Sequence, residues 1–378
     1  MKSIRFVAVA VTIMLCSCRH GGDRAPGPGI SGSQSASRFS LDEKRGYTIL
    51  TVRDPWQNSR GTEMTWCLLP HGEAIPEGFD EEQVIRIPVR RMICMSVTHI
   101  AMLRALDASD ILIGISGPDL VYDSLVLDAI GRGRVQDVGY EGSLNKELIV
   151  SLKPDLLMVY GVAAPSSGQT GRLPAMGVKV LYNADYLEDH PLARCEWIRL
   201  FGLLTGREAM ADSIFREVSE AYRELSDLVR NSVHDRPEIL LGSPWEDVWY
   251  VSPANSYTGR LIEDAGGHYL FSDLTRANSV PFSVEAVFER ATEADIWINP
   301  GTAESLSGIA AADHRMTRLP VFASGAVWNN RKRMTPGGGN DYWESAVIRP
   351  DLLLRDFISI IHPELLPQHR QYYYMRLQ

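Results

Sequence analysis

Glu147-Leu-Ile-Val-Ser-Leu-Lys-Pro-Asp155-Leu-Leu-Met-Val-Tyr-Gly161 and Glu285-Ala-Val-Phe-Glu-Arg-Ala-Thr-Glu-Ala-Asp295-Ile-Trp-Ile-Asn-Pro-Gly301 follow one plan. Each opens with a Glu at the start of a short helical run. Each then places an Asp before an apolar strand, and a Gly stands six residues after that Asp. A strand that is apolar on both faces belongs in a parallel sheet covered by helices. Two distant copies of the unit predict an α/β protein of two Rossmann-like lobes with parallel-rich sheets. A cleft between such lobes is where a small ligand binds.

The chain around the repeats divides accordingly. The stretch 85–188 reads as the N-terminal lobe, with strands over 91–96, 111–115, 156–160 and 178–182 and a helix over 98–106. The stretch 189–235 reads as a connecting helical spine, apolar at Trp197, Leu200, Leu203, Leu204, Ile214, Val218, Tyr222 and Leu225. Gly202 and Gly206 weaken it and predict a break near Thr205-Gly206. The stretch 236–378 reads as the C-terminal lobe, with strands over 239–242, 248–251, 295–299 and 326–328 and a helix over 256–265. An N-terminal hairpin addition spans 45–84 and turns around Asn58-Ser59-Arg60-Gly61.

The chain of 378 residues is 45% hydrophobic and carries a net charge of −9. The first two numbers allow two ordinary domains with real cores. The third argues against nucleic acid, whose phosphates demand basic surface. Lys2 and Arg5 precede an apolar run over 6–15, far short of the ~20 residues that span a bilayer. The run reads as a signal peptide over 1–17. Leu15-Cys16-Ser17-Cys18 resembles a lipobox, so lipid on Cys18 is expected to tether the mature chain to a membrane through a flexible stretch over 18–44. The alternative is an ordinary signal peptide with two incidental cysteines. Cys67, Cys94 and Cys195 lack zinc-site spacing, so no resident metal is expected. Cys94, in an apolar run, reads as a buried thiol, and a disulfide at Cys67 stays open.

An ordered set of short motifs carries a resemblance. It comprises Ser96-Val-Thr98-His99, Ile113-Gly-Ile-Ser-Gly117, Val138-Gly-Tyr140, Leu144-Asn-Lys-Glu147, Lys153-Pro-Asp155, Asp264-Ala-Gly-Gly267 and Ala294-Asp295-Ile. Together they resemble the substrate-binding lipoproteins of ABC importers for iron–siderophore complexes, haem and vitamin B12. The end Asn340-Asp-Tyr-Trp343-Glu344 is similar to a Bacteroidetes-like branch of that group. The resemblance implies a binding component rather than an enzyme, on the periplasmic side of a Gram-negative envelope. Its partners would be an ABC permease dimer with its ATPase subunits. Its cargo would be an iron complex, haem or cobalamin, with no cofactor of its own. It also implies that one Glu on each lobe, here Glu147 and Glu285, meets permease arginines. The blander reading of each is a Glu favoured by its helix dipole.

The cleft residues follow from two arguments. Ligands sit beyond the carboxyl ends of the strands, which nominates Ser96, Thr98, His99, Gly117, Tyr160, Asn299 and Trp328. Large planar or apolar ligands need aromatic surface, which adds Trp245 and Tyr257, and Arg331 would attract a carboxylate. The resemblance nominates Tyr140, where haem-binding relatives place a ligating Tyr and B12 binders a stacking aromatic. Core or loop packing is the competing role for each. A metal chelatase using the same cleft is the rival function, although no GxSxG, HExxH or GxGxxG pattern supports catalysis. A bare metal-ion receptor is a third reading, with only His99 and Asp119 as first-lobe candidates.

Overall fold

Asp155 and Asp295 each fasten a neighbouring strand. Asp155 Oδ2 accepts the backbone N–H groups of Arg90 and Arg91 at 2.9 Å each, just before the strand Met92–Cys94. Asp295 Oδ2 accepts the N–H of Glu238 at 2.8 Å, the first residue of the strand Glu238–Leu241. The repeated Asp is thus an anchor for the first strand of each lobe, next to the apolar strands Leu156–Val159 and Ile296–Ile298.

The structure, a computed structural model, describes residues 35–140, 142–161, 169–276 and 278–378. The expected signal peptide, Cys18 and the tether as far as 34 lie outside the described residues. In the first lobe five parallel strands run in the order Val180–Tyr182, Leu156–Val159, Met92–Cys94, Leu112–Ile115, Gln136–Asp137. In the second the order is His268–Tyr269, Glu238–Leu241, Ile296–Ile298, Val327–Asn329, all parallel, with Met375–Arg376 antiparallel at the edge. The chain therefore forms two lobes with parallel-rich sheets, as the two apolar strands require. The segment Val248–Val251 is not part of this second sheet. It pairs antiparallel with Val280–Ser283 as a separate two-stranded ribbon.

The connector is three helices, Pro191–Glu196, Ile198–Thr205 and Glu208–Ser232. The break at Thr205-Gly206 falls where the two glycines placed it, and Gly206 ends the second helix in the left-handed conformation. Trp197, Leu200, Phe201 and Leu204 are buried against the first lobe, and Tyr222, Leu225 and Val229 against the second.

The N-terminal addition is larger than a hairpin. Phe39–Lys44, Tyr47–Arg53, Glu63–Pro70 and Val84–Ile87 form a four-stranded sheet, so the last residues of the expected tether are a strand. Phe39 and Leu41 alternate inward, and the Phe39 ring meets Trp197 of the connector with centroids 4.6 Å apart. Two buried carboxylates fasten its start. Glu196 Oε2 accepts the N–H groups of Ser35 and Ala36, and Glu188 accepts those of Ser37 and Arg38. Cys67, Cys94 and Cys195 are free and buried. Burial pushes the Cys94 thiol far above its ordinary range.

Candidate functional site

On the first lobe the strand ends carry a small rim. Ser96 caps the helix Val97–Ala105 by accepting the Thr98 N–H, and the two hydroxyls lie 2.9 Å apart. Beyond the next strand Gly117 turns in the left-handed region (φ 67°). A Cβ there would press on the Tyr140 ring at 3.0 Å and on Leu120 at 3.2 Å. Only Gly satisfies both the turn and the close approach. Tyr140 is held by the two-residue hairpin Gly139–Tyr140/Ser143–Leu144, and 52% of it is exposed. Leu120 is exposed to the same degree, so the two form an apolar step around Gly117. Tyr160, part-buried, meets Tyr186 edge to face at 6.3 Å.

On the second lobe Trp245 follows the strand Glu238–Leu241. A tight turn holds it, the Trp245 N–H donating to the Val248 carbonyl at 2.8 Å and the Val248 N–H donating back at 3.1 Å. Trp245 is 74% exposed. The strand that follows, Val248–Val251, buries Trp249, whose indole donates to the Leu241 carbonyl, and leaves Tyr250 exposed on its opposite face. Tyr257 opens the helix Tyr257–Asp264, and its ring lies beneath the Arg194 guanidinium, 4.9 Å from centroid to Cζ. Arg194 also donates to the buried Asp185 at 3.1 Å, so this connector residue joins first-lobe and second-lobe groups. Burial raises the Tyr257 hydroxyl well above its ordinary value, and Asn299 is engaged by the Tyr374 hydroxyl at 3.0 Å.

Two nominated residues stand elsewhere, and a third is neutralised in place. His99 is fully buried, with its ring 5.9 Å from that of Phe201 on the connector, and neither ring nitrogen has a hydrogen-bond partner among the described residues. Desolvation holds its pKa down at about 3, so it is a neutral core residue and not a cleft ligand. Trp328 lies inside its strand, which continues to Asn329. Alternation turns it away from the side of Asn329, into a groove of about 410 Å³ shared with Pro363, Leu366, His369 and Arg376. The residues at that strand end are Asn329 and Asn330, both buried. Arg331 keeps its place after the strand, but its guanidinium is paired with Glu304 at 2.9 Å, which offsets its charge toward an anion. Among the described residues no three His, Cys, Asp or Glu side chains converge as metal ligands, and Asp119 is exposed whereas His99 is buried.

Glu147 and Glu285 occupy matching positions. Each is exposed at the second residue of its helix, Lys146–Leu152 or Val284–Ala291, and the cap is Asn145 in one and Ser283 in the other. Leu120 and Tyr250 are exposed apolar groups that the strand-end and aromatic arguments passed over. The signal for Leu120 was its place three residues beyond Gly117.

Residues 93–327 match the family described as periplasmic binding protein. An uncharacterized lipoprotein of Methanocaldococcus jannaschii is 25% identical over 307 residues, covering 79% of this chain and 71% of that protein. A cobalamin-binding protein of Halobacterium salinarum is 27% identical over 177 residues, covering 46% of this chain and 45% of that protein. Among solved structures, a periplasmic haem-binding protein from Pseudomonas aeruginosa superposes with a TM-score of 0.54 at 18% identity, covering 73% of this chain and 93% of that one. With two parallel-sheet lobes, a helical connector and a family match across both lobes, the chain belongs to the periplasmic binding protein family.

Proposed function

We propose that this protein is the substrate-binding component of an ABC importer, capturing a metal chelate between its lobes and passing it unchanged to a permease. The chelate is an iron–siderophore complex, haem or cobalamin. The observation that carries the reading is a pair of large exposed aromatics, Tyr140 and Trp245, one at the strand ends of each lobe. Exposed rings beyond the strand ends are surface kept free for an apolar or planar guest. Ser96, Thr98 and Tyr160 supply hydroxyls on the first lobe, Tyr257 is a buried support under Arg194, and Arg331 adds a partly offset positive charge. Glu147 and Glu285, one on each lobe, dock on permease arginines and report lobe spacing. Lipid on Cys18 tethers the protein outside the cytoplasm, on the periplasmic side of a Gram-negative envelope; the word lipoprotein in the name of the Methanocaldococcus relative supports the anchor.

The test is a visible-absorption titration of the lipid-free chain with haemin, cyanocobalamin and a ferric siderophore in turn. One of them should bind at a single saturable site and be recovered chemically intact. Recovery of an altered tetrapyrrole or a demetallated product would establish turnover and overturn the receptor reading.

A further inference from the structure

The family match ends at residues 93 and 327, and the chain outside it builds two contacts that run from lobe to lobe. The first starts from the N-terminal sheet. Its loop after the strand Tyr47–Arg53 lays Trp56 against Tyr182, with centroids 5.7 Å apart, and bridges Gly161 at the end of a first-lobe strand. The Gln57 N–H donates to the Gly161 carbonyl at 3.3 Å. From there Asn58, in the left-handed conformation, accepts the amide of Asn278 on the second lobe at 3.2 Å.

The second contact starts from the C-terminal lobe. Residues 333–341 fold back on themselves through a Met334–Asn340 bridge, the Thr335 N–H bond to the Gly339 carbonyl and the Arg333–Asp341 ion pair at 2.6 Å. The tip of this loop rests on the first lobe, where a Cβ on Gly339 would collide with the Val121 carbonyl. Arg333 spreads over the rings of Tyr122 and Tyr372, at 5.2 and 4.3 Å. Glu344, 3% exposed, accepts the N–H groups of Tyr122 at 2.7 Å and Asp123 at 3.0 Å. A buried carboxyl group that accepts two bonds from another lobe's backbone is a strong joint, because separating the lobes strands all three groups.

We propose that these two segments are a clamp: Asn58 and Glu344 are positioning residues that hold the lobes at one separation, so that a guest enters a slot of preset width. Here the spacing is set at three places, and guests are sorted by whether they fit the slot and not by how far the lobes close. The inference rests on the two-lobed fold and is independent of which chelate is bound.

The experiment needs no ligand. Ser151→Cys on the first lobe and Glu289→Cys on the second place spin labels on exposed helix positions of a chain truncated before residue 35, in which the remaining native thiols, Cys67, Cys94 and Cys195, are buried. Pulsed dipolar spectroscopy then reads the distance between the lobes. The clamped protein should give one narrow distance. Combining Asn58→Ala with Glu344→Ala should add separations longer by more than about 2 Å. Gly339→Ala, which pushes the loop tip off Val121 without removing a charge, should broaden the distribution in the same direction and serves if the double variant fails to fold. A broad distribution in the parent protein, or a parent-like narrow one in folded variants, overturns the clamp. Either result leaves the titration of chelates untouched, so failure of the clamp and failure of the receptor reading are told apart.

Discussion

Replacing Tyr140 by Ala removes a ring that is 52% exposed and rests on Gly117 at the strand ends. A buried Tyr covers roughly 150–250 Å², so about 100 Å² of this one is free to be covered by a guest. At about 25 cal/mol per Å² that area is worth about 2.5 kcal/mol when fully covered. Partial cover and the polar phenol bring the lower bound to about 1.4 kcal/mol. The expected loss of affinity is therefore tenfold to roughly seventyfold. Because the ring is exposed in the free protein, the melting temperature should barely move. The assay is the chelate titration on parent and variant, with thermal unfolding alongside. Tyr140→Phe separates two uses of the side chain: retained affinity means the ring stacks on the guest, and lost affinity means the hydroxyl ligates or donates. An unchanged dissociation constant in Tyr140→Ala refutes the reasoning, since a principal contact cannot be removed without cost.

Three other outcomes are expected. Glu147→Arg and Glu285→Arg should each depress transport in vesicles carrying the permease while chelate affinity is unchanged; full transport by both removes the docking role. Asp155→Ala strips the acceptor from the Arg90 and Arg91 N–H groups and should destabilise the first lobe by about 2 kcal/mol, read as a lower denaturation midpoint at constant affinity. His99 has its pKa held down at about 3 in the folded state against 6.5 ordinarily. The unfolded chain therefore takes up a proton that the fold refuses, and stability present above pH 6.5 is lost as pH falls from there toward 3, by a few kcal/mol in all. His99→Leu should flatten that limb of a pH series of unfolding midpoints, and an unflattened limb would show that other groups carry it.

Periodicity and punctuation made the frame of this protein legible. Asp155 and Asp295 precede strands apolar on both faces, and such strands can only be central and parallel, so the two-lobed fold was readable from them. The helix break at Gly206 was readable because Gly is both a poor helix former and a good terminator. Trp328 was misplaced by one residue: a strand-end rule fails when the strand runs one position further, because neighbouring side chains face opposite ways. His99 was misread for a different reason. Its helix buries His99, Ile100, Ala101, Met102 and Leu103 in succession, so no polar stripe marks which face meets the cleft. Phe39–Lys44 ends in Asp42, Glu43 and Lys44, all exposed, and that edge-strand charge resembled the preceding tether. The contacts of Asn58 and Glu344 join residues more than 200 positions apart, and local pattern carries no signal for such pairs.

The most direct test of a guest held between the lobes is amide hydrogen exchange of the protein with and without the chelate that titrates. Protection should rise in two separate segments, around Gly117–Tyr140 on the first lobe and around Gly242–Trp245 on the second. Protection confined to one lobe, or found instead at the groove beside Trp328, would contradict the account.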